Sequence, residues 1–252
     1  MSTHLKFVEG LKPPILIAHR GSRVVNHYPE NTLPAFEEAL QVEAHGIEMD
    51  IWLTRDGELA VFHDRNLDRL TGSHQQIDHC SSHQLQQLRF LGYEDNSEIK
   101  IPMLHEVFAR FRAKLYYNIE IKPQTGSYQK LIQRLQALLL EYDLASRVWL
   151  SSFDARFLRE WIATNSTVPC ALLFSKWSWF IRRHCSQPYA QILHPSVALI
   201  PRLPNLLSFS KPLCFWTVNQ EETLKEILHS AVFGIISDNI PLIKKCIMDL
   251  KM

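Results

Sequence analysis

Five residues in this chain have types and spacings that can do chemistry together. If 46–51 is read as a strand, Glu48 and Asp50 fall on one face, with Ile47, Met49 and Ile51 on the other. In 118–122, Asn118, Glu120 and Lys122 likewise share a face opposed by Ile119 and Ile121. On neighbouring strands, three carboxylates would converge, and carboxylates that close repel unless a cation neutralises them. Oxygen-only donors favour a divalent cation such as Mg²⁺ or Ca²⁺ over zinc. A plainer reading pairs the same carboxylates with Lys122 and Arg20 as structural ion pairs. His19 and His63 each close a strand-like run. A histidine at the end of a barrel strand is placed for proton transfer near neutral pH. The set suits a phosphodiester: a cation, Arg20 and Lys122 hold the phosphoryl oxygens, one histidine takes a proton from the nucleophile, and the other protonates the leaving oxygen. His74, His79 and His83 lie in a polar stretch and read as solvated.

These side chains need a frame. Short β-rich apolar runs read as strands at 15–18, 46–53, 58–62, 115–121, 147–152, 170–174, 191–193, 213–218 and 234–237. Helical periodicity marks 33–42, 128–142, 155–163, 221–229 and 241–250, with Asp154 as a cap. Pro102 reads as an early helix position, followed by a stripe of Met103, Val107 and Phe111. Repeated strand-then-helix units predict an α/β fold with a parallel sheet, and about eight such strands over this length predict a (β/α)8 TIM barrel. Packed barrel layers exclude charge, so the carboxylates belong at the C-terminal mouth of their strands. The polar region 64–99 reads as a small insertion after the second strand region of a single domain, 1–252.

Composition narrows the class. With 252 residues and 46% hydrophobic content, the chain can bury one large core. A formal net charge of +1 gives no electrostatic reason to expect nucleic acid. Five scattered cysteines with no CxxC pair point away from a disulfide framework or zinc site and toward a reducing compartment. The start of the chain lacks the apolar core of a secretory signal, and no long uncharged apolar run predicts a transmembrane segment. A cytoplasmic location is therefore expected. Segment 177–183, Trp-Ser-Trp-Phe-Ile-Arg-Arg, reads either as a packed helix with a solvated basic end or as a weak lipid-contact surface.

His19-Arg20-Gly21, followed by Pro29-Glu30-Asn31-Thr32-Leu33-Pro34-Ala35-Phe36, resembles the opening signature of the glycerophosphodiester phosphodiesterase family. Gly46-Ile47-Glu48-Met49-Asp50 and the run from Thr54 to Asp64 continue it in order and spacing. Ile101-Pro102-Met103-Leu104, Asn118-Ile119-Glu120-Ile121-Lys122 and Trp216-Thr217-Val218-Asn219 resemble later motifs, and Gly234-Ile235-Ile236-Ser237-Asp238 a final one. The resemblance spans residues 15–241. It implies a TIM barrel that hydrolyses small-molecule glycerophosphodiesters to sn-glycerol 3-phosphate and an alcohol. It implies acid/base roles for His19 and His63, and metal ligation by Glu48, Asp50 and Glu120. Arg20, Lys122 and Trp216 fall on substrate-contacting positions, and Glu30 with Asn31 on supporting ones. A lysophospholipase D-type hydrolase is the alternative on the same catalytic set. The chain departs from the pattern at Glu43-Ala44-His45, where the family has Gly-Ala-Asp, and at Ser237, where it has Thr.

Overall fold

The computed structural model describes residues 12–93, 96, 99–230 and 232–250. The sequence reading of residues 1–11 and of Ala231 lies outside them. Among the described residues, nine strands form the sheet: β1 (Ile15–His19), β2 (Gly46–Leu53), β3 (Leu59–Val61), β4 (Tyr116–Ile121), β5 (Val148–Ser152), β6 (Cys170–Phe174), β7 (Ile192–Pro195), β8 (Cys214–Phe215) and β9 (Gly234–Ser237). All but β3 run parallel, in the order β7-β6-β5-β4-β2-β1-β9-β8. Parallel bridges Leu193–Leu213 and Ser196–Trp216 join β7 to β8 and close the barrel. The fold is the expected (β/α)8 TIM barrel.

The helices are α1 (Leu33–Gln41), α2 (Asp68–Thr71), α3 (Ser82–Gln87), α4 (Leu104–Phe111), α5 (Gln129–Glu141), α6 (Ala155–Ile162), α7 (Trp179–Cys185), α8 (Leu203–Leu207), α9 (Glu221–Leu228) and α10 (Ile240–Asp249). Strand alternation sorts the core into two layers. Ile47, Met49, Ile51, Ile119 and Ile121 face outward and pack with helix residues such as Phe36, Leu131 and Leu135. Ile15, Ile17, Tyr116, Trp149, Ile192 and Cys214 belong to a second cluster, which fills the barrel's interior. The carboxylates of β2 therefore sit above an apolar plug. Asp154 caps α6, accepting a hydrogen bond from the Arg156 amide at 2.8 Å.

Two local readings change. β3 pairs antiparallel with β2, Ile51 opposite Val61 and Leu53 opposite Leu59. The excursion thus begins at this hairpin rather than at residue 64. Trp52, Ala60 and Phe62 turn away from the barrel into a small core with Leu67, Ile77, Leu85 and Phe90. That separate core is why residues 64–93 fold locally despite their polarity. Pro102 lies before α4, not within it. Its carbonyl accepts the Val61 amide at 2.8 Å, which holds the segment extended beside β3.

The departure at Glu43 also has a physical reading. Glu43 has φ 55°, a left-handed conformation that glycine adopts without strain. A salt bridge to Lys244 of α10 accompanies it. His45 then ties the base of β1, its Nδ1 accepting the Leu16 amide at 2.9 Å.

Candidate active site

Register brings the chemistry together. His19 on β1 is level with Glu48 on β2, and Asp50 on β2 is level with Glu120 on β4. Ligand oxygens of Glu48, Asp50 and Glu120 lie within 4.8 Å of one another, and all three residues are buried. Lys122 reaches into this group, its Nζ 2.8 Å from Asp50 Oδ1 and 2.5 Å from Glu120 Oε1. The converging carboxylates and the ion pairs are therefore both present, on the same atoms.

The charges do not cancel evenly. Burial opposes ionisation of Asp50, but Lys122 and Arg20 prevail and hold it well below the usual carboxylate range. Burial, and then the charges of Asp50 and Glu120, push Glu48 well above that range. Burial and Asp50 likewise lift Glu120 to about 7, against the pull of Lys122. Two of the three carboxylates lack sufficient positive charge even with Lys122 and Arg20 beside them. An all-oxygen, buried and under-neutralised donor set fits a divalent cation.

Arg20 turns the chain at the mouth. It sits at φ 55° and Asn31 at φ 59°, and the Asn31 amide donates to the Arg20 carbonyl at 2.9 Å. Non-glycine residues in this region are strained and collect at functional sites. Gly21 lets the turn dock on α1, since a Cβ there would lie 2.8 Å from the Ala35 backbone. The Arg20 amide donates to Glu48 Oε2 at 3.0 Å, and its guanidinium lies 3.5 Å from Asp50 Oδ2. Asn31 Nδ2 donates to Asp50 Oδ2 at 2.8 Å. Asn31 thus orients the central carboxylate.

Glu30 stands apart from the carboxylate cluster. It collects three arginines: Arg20 at 2.9 Å, Arg69 at 2.5 Å and Arg23 at 3.4 Å. Those hydrogen bonds and charges keep it below the usual carboxylate range against its burial.

Each histidine is paired with a carboxylate. His19 Nδ1 lies 2.8 Å from Asp238 Oδ1, at the end of β9. Burial disfavours the charge on Asp238, but His19, Asn219 and Arg23 hold it ionised, well below its ordinary value. An ionised Asp238 only accepts, so Nδ1 carries the proton and Nε2 is the free nitrogen, 4.0 Å from Glu48 Oε2. His63 Nδ1 lies 2.6 Å from Asp64 Oδ1, and Arg69 Nε donates to the other oxygen of Asp64. Burial, with Lys122 and Arg20, pulls His63 below its ordinary value despite Asp50 and Asp64. His63 reaches mouth level by an unexpected route. The antiparallel β3 brings the chain back, and the Phe62 amide donates to the Asp50 carbonyl at 2.9 Å. It does not end a barrel strand.

Trp216 lines a pocket with His19, Glu48, Asn118, Glu120, Ser151, Leu173 and Ile236. Its indole nitrogen is used by the His194 carbonyl at 2.8 Å, so the ring offers the pocket an apolar face. The sequence reading missed Arg23, Asp64, Arg69, Asn219 and Asp238 as site residues. For Asp64 and Asp238 a signal existed, a carboxylate immediately after a strand-end histidine or a barrel strand.

Fold and site together define a barrel enzyme with two histidine–carboxylate pairs beside a candidate divalent-cation site. The sequence profile of the glycerophosphoryl diester phosphodiesterase family matches residues 19–242. A glycerophosphodiester phosphodiesterase of Caldanaerobacter subterraneus subsp. tengcongensis is 32% identical over 89% of this chain and 94% of its own. One from Bacillus altitudinis is 29% identical over 88% and 94%. A phosphodiesterase of Oleispira antarctica, solved with the product sn-glycerol-3-phosphate, superposes with TM-score 0.81 at 23% identity, covering 93% of this chain and 97% of that one. The chain belongs to the glycerophosphoryl diester phosphodiesterase family and is an enzyme of that activity.

Proposed function

We propose that this chain hydrolyses glycerophosphodiesters to sn-glycerol 3-phosphate and an alcohol, with His19 and His63 as the proton-transfer groups. The observation that carries this is the pairing of each histidine with a carboxylate through Nδ1, which leaves both Nε2 atoms available beside the buried carboxylates. One imidazole removes a proton from the attacking hydroxyl, and the other returns one to the departing alkoxide. Arg20 and Lys122 supply fixed positive charge for the phosphoryl oxygens. Glu48, Asp50 and Glu120 would hold Mg²⁺ or Ca²⁺, which when bound supplies further charge stabilisation at phosphorus. Among the described residues no helix is long and apolar enough to cross a membrane.

The test is a chelator-controlled assay on a panel of glycerophosphodiesters with each metal returned singly. Release of sn-glycerol 3-phosphate that stops with chelator and resumes with Mg²⁺ or Ca²⁺ supports the reading. Chelator-resistant turnover removes the cation, and absence of turnover with every metal removes the substrate class. A lysophospholipase D-type activity is a second reading, favoured by the exposed Trp179 and Phe180 at the barrel mouth. Adding lysophospholipids to the same panel separates the two.

A further inference from the structure

Between Glu160 and Glu221 the sequence has no Asp or Glu, but it carries Lys176, Arg182, Arg183, Arg202 and Lys211. Since the whole chain has a formal net charge of only +1, these uncompensated cations make this sector, which runs from β6 to β8, net positive against a net negative remainder. Lys176, Arg182, Arg183 and Arg202 are exposed, and no described carboxylate pairs with any of them.

The same sector presents aromatic side chains to solvent. Trp179 is 74% exposed and Phe180 62%. Both lie in the first turn of α7, which four residues separate from the end of β6. In a (β/α)8 barrel that turn stands at the C-terminal mouth, beside the active site. The anchoring beneath them is firm: Trp177 packs against Phe174 and Phe209 with centroids 6.5 and 6.4 Å away, and Cys185 is buried. Arg183 lies over the Trp179 ring, 5.9 Å from its centroid. After the neighbouring strand β5, Phe153 is 44% exposed and meets Trp216 of the site edge-on at 5.6 Å. A line of exposed aromatic surface therefore runs beside the pocket along two adjacent connections, with unpaired cations behind it.

A Trp and a Phe held out from a rigid turn, with arginines one turn behind, match the lipid–water interface: rings at headgroup level and cations against anionic headgroups. We propose that the α7 sector docks the barrel mouth onto an anionic lipid surface, with Trp179 and Phe180 at the interface and Lys176, Arg182 and Arg183 contacting anionic headgroups. The docking is independent of turnover, so it can fail while the hydrolase reading stands, and the reverse.

Co-sedimentation with vesicles tests it. The intact chain should bind phosphatidylglycerol vesicles and leave phosphatidylcholine vesicles at least tenfold weaker, with binding lost in high salt. Each basic residue near such a surface contributes about fivefold. Arg182→Glu/Arg183→Glu should lower binding at least tenfold, and Trp179→Ala/Phe180→Ala should do so at low salt. Both variants should keep the parent's rate on soluble glycerophosphocholine and its melting temperature, because none of these residues touches the site. Equal binding to both vesicle types, or variants that bind like the parent, would overturn the proposal. So would a concentration-dependent dimer in vesicle-free light scattering that Trp179→Ala abolishes, which would assign the face to a second copy.

Discussion

Glu30 touches neither histidine, yet it is linked to both. Arg23 bridges it to Asp238, the partner of His19, and Arg69 bridges it to Asp64, the partner of His63. Arg20 connects it to Asp50. Removing its charge leaves three guanidinium groups competing for fewer carboxylates, and breaking a buried pair costs about 3–5 kcal/mol. Glu30→Gln should therefore lower urea stability by several kcal/mol, discounted for the partly exposed arginines, and depress kcat. A variant with parental stability and kcat would show the network to be ornamental. Asp238→Asn tests a narrower point. Its amide can face His19 with either atom, so Nδ1 no longer has a fixed proton. We expect kcat to fall about 100-fold with KM nearly unchanged; a matched loss in KM alone would mean Asp238 serves binding. The carboxylates of these pairs stood in the sequence as the last residues of two motifs, Thr54 to Asp64 and Gly234 to Asp238, with no role read for either. Arg23 and Arg69 carried no signal, because the pairings Arg69–Glu30 and Arg23–Asp238, 39 and 215 positions apart, form only in the closed barrel.

At the scale of elements, β2 does most of the positioning. Its alternation placed Glu48 and Asp50 on one face, and this was fully legible from 46–51. What alternation cannot give is depth, which is set by register with β1 and β4. Gly46 fixes that register. A Cβ there would lie 2.4 Å from the Tyr116 carbonyl oxygen and 2.9 Å from its carbon, both backbone atoms of β4. Gly46→Ala must therefore separate β2 from β4 below the carboxylates. It should cost about 2–3 kcal/mol in urea unfolding and weaken any bound cation, read by calorimetric titration with Mg²⁺ or Ca²⁺. Unchanged stability would mean that β2 slides without penalty. His63 illustrates the opposite case. Its residue type and spacing were legible, but the strand that carries it is antiparallel and outside the barrel, because the apolar residues at Trp52, Ala60 and Phe62 serve a separate core. An unbroken apolar run such as Leu59 to Phe62 looks the same in either setting.

For the whole molecule, the strand-helix alternation specified the barrel, since each outward stripe needed a helix to cover it. Interior packing was less legible, because residues from distant strands meet only on closure. His194 on β7 is the clearest instance: it is fully buried, and neither ring nitrogen has a protein hydrogen-bond partner among the described residues. Burial alone pushes its pKa down to about 3. In the unfolded chain it titrates near about 6.5. Below that pH the unfolded state takes a proton that the folded state refuses, so His194 removes stability as pH falls from about 6.5 toward 3, by up to about 1.4 kcal/mol per pH unit. Glu48 and Glu120, raised by burial, act in the opposite direction, and Asp50 and Asp238 act with His194 but only below the ordinary Asp range. The comparison that isolates His194 is parent against His194→Leu, in which those other groups are common to both. The two should differ little at pH 7, where the variant exchanges two unpaired nitrogens for apolar packing. Between pH 6.5 and 4.5 the variant should gain steadily on the parent, by more than 1 kcal/mol in urea-derived stability. A difference that stays constant across that range would mean the folded barrel admits the proton after all, and that His194 is less isolated than its burial indicates.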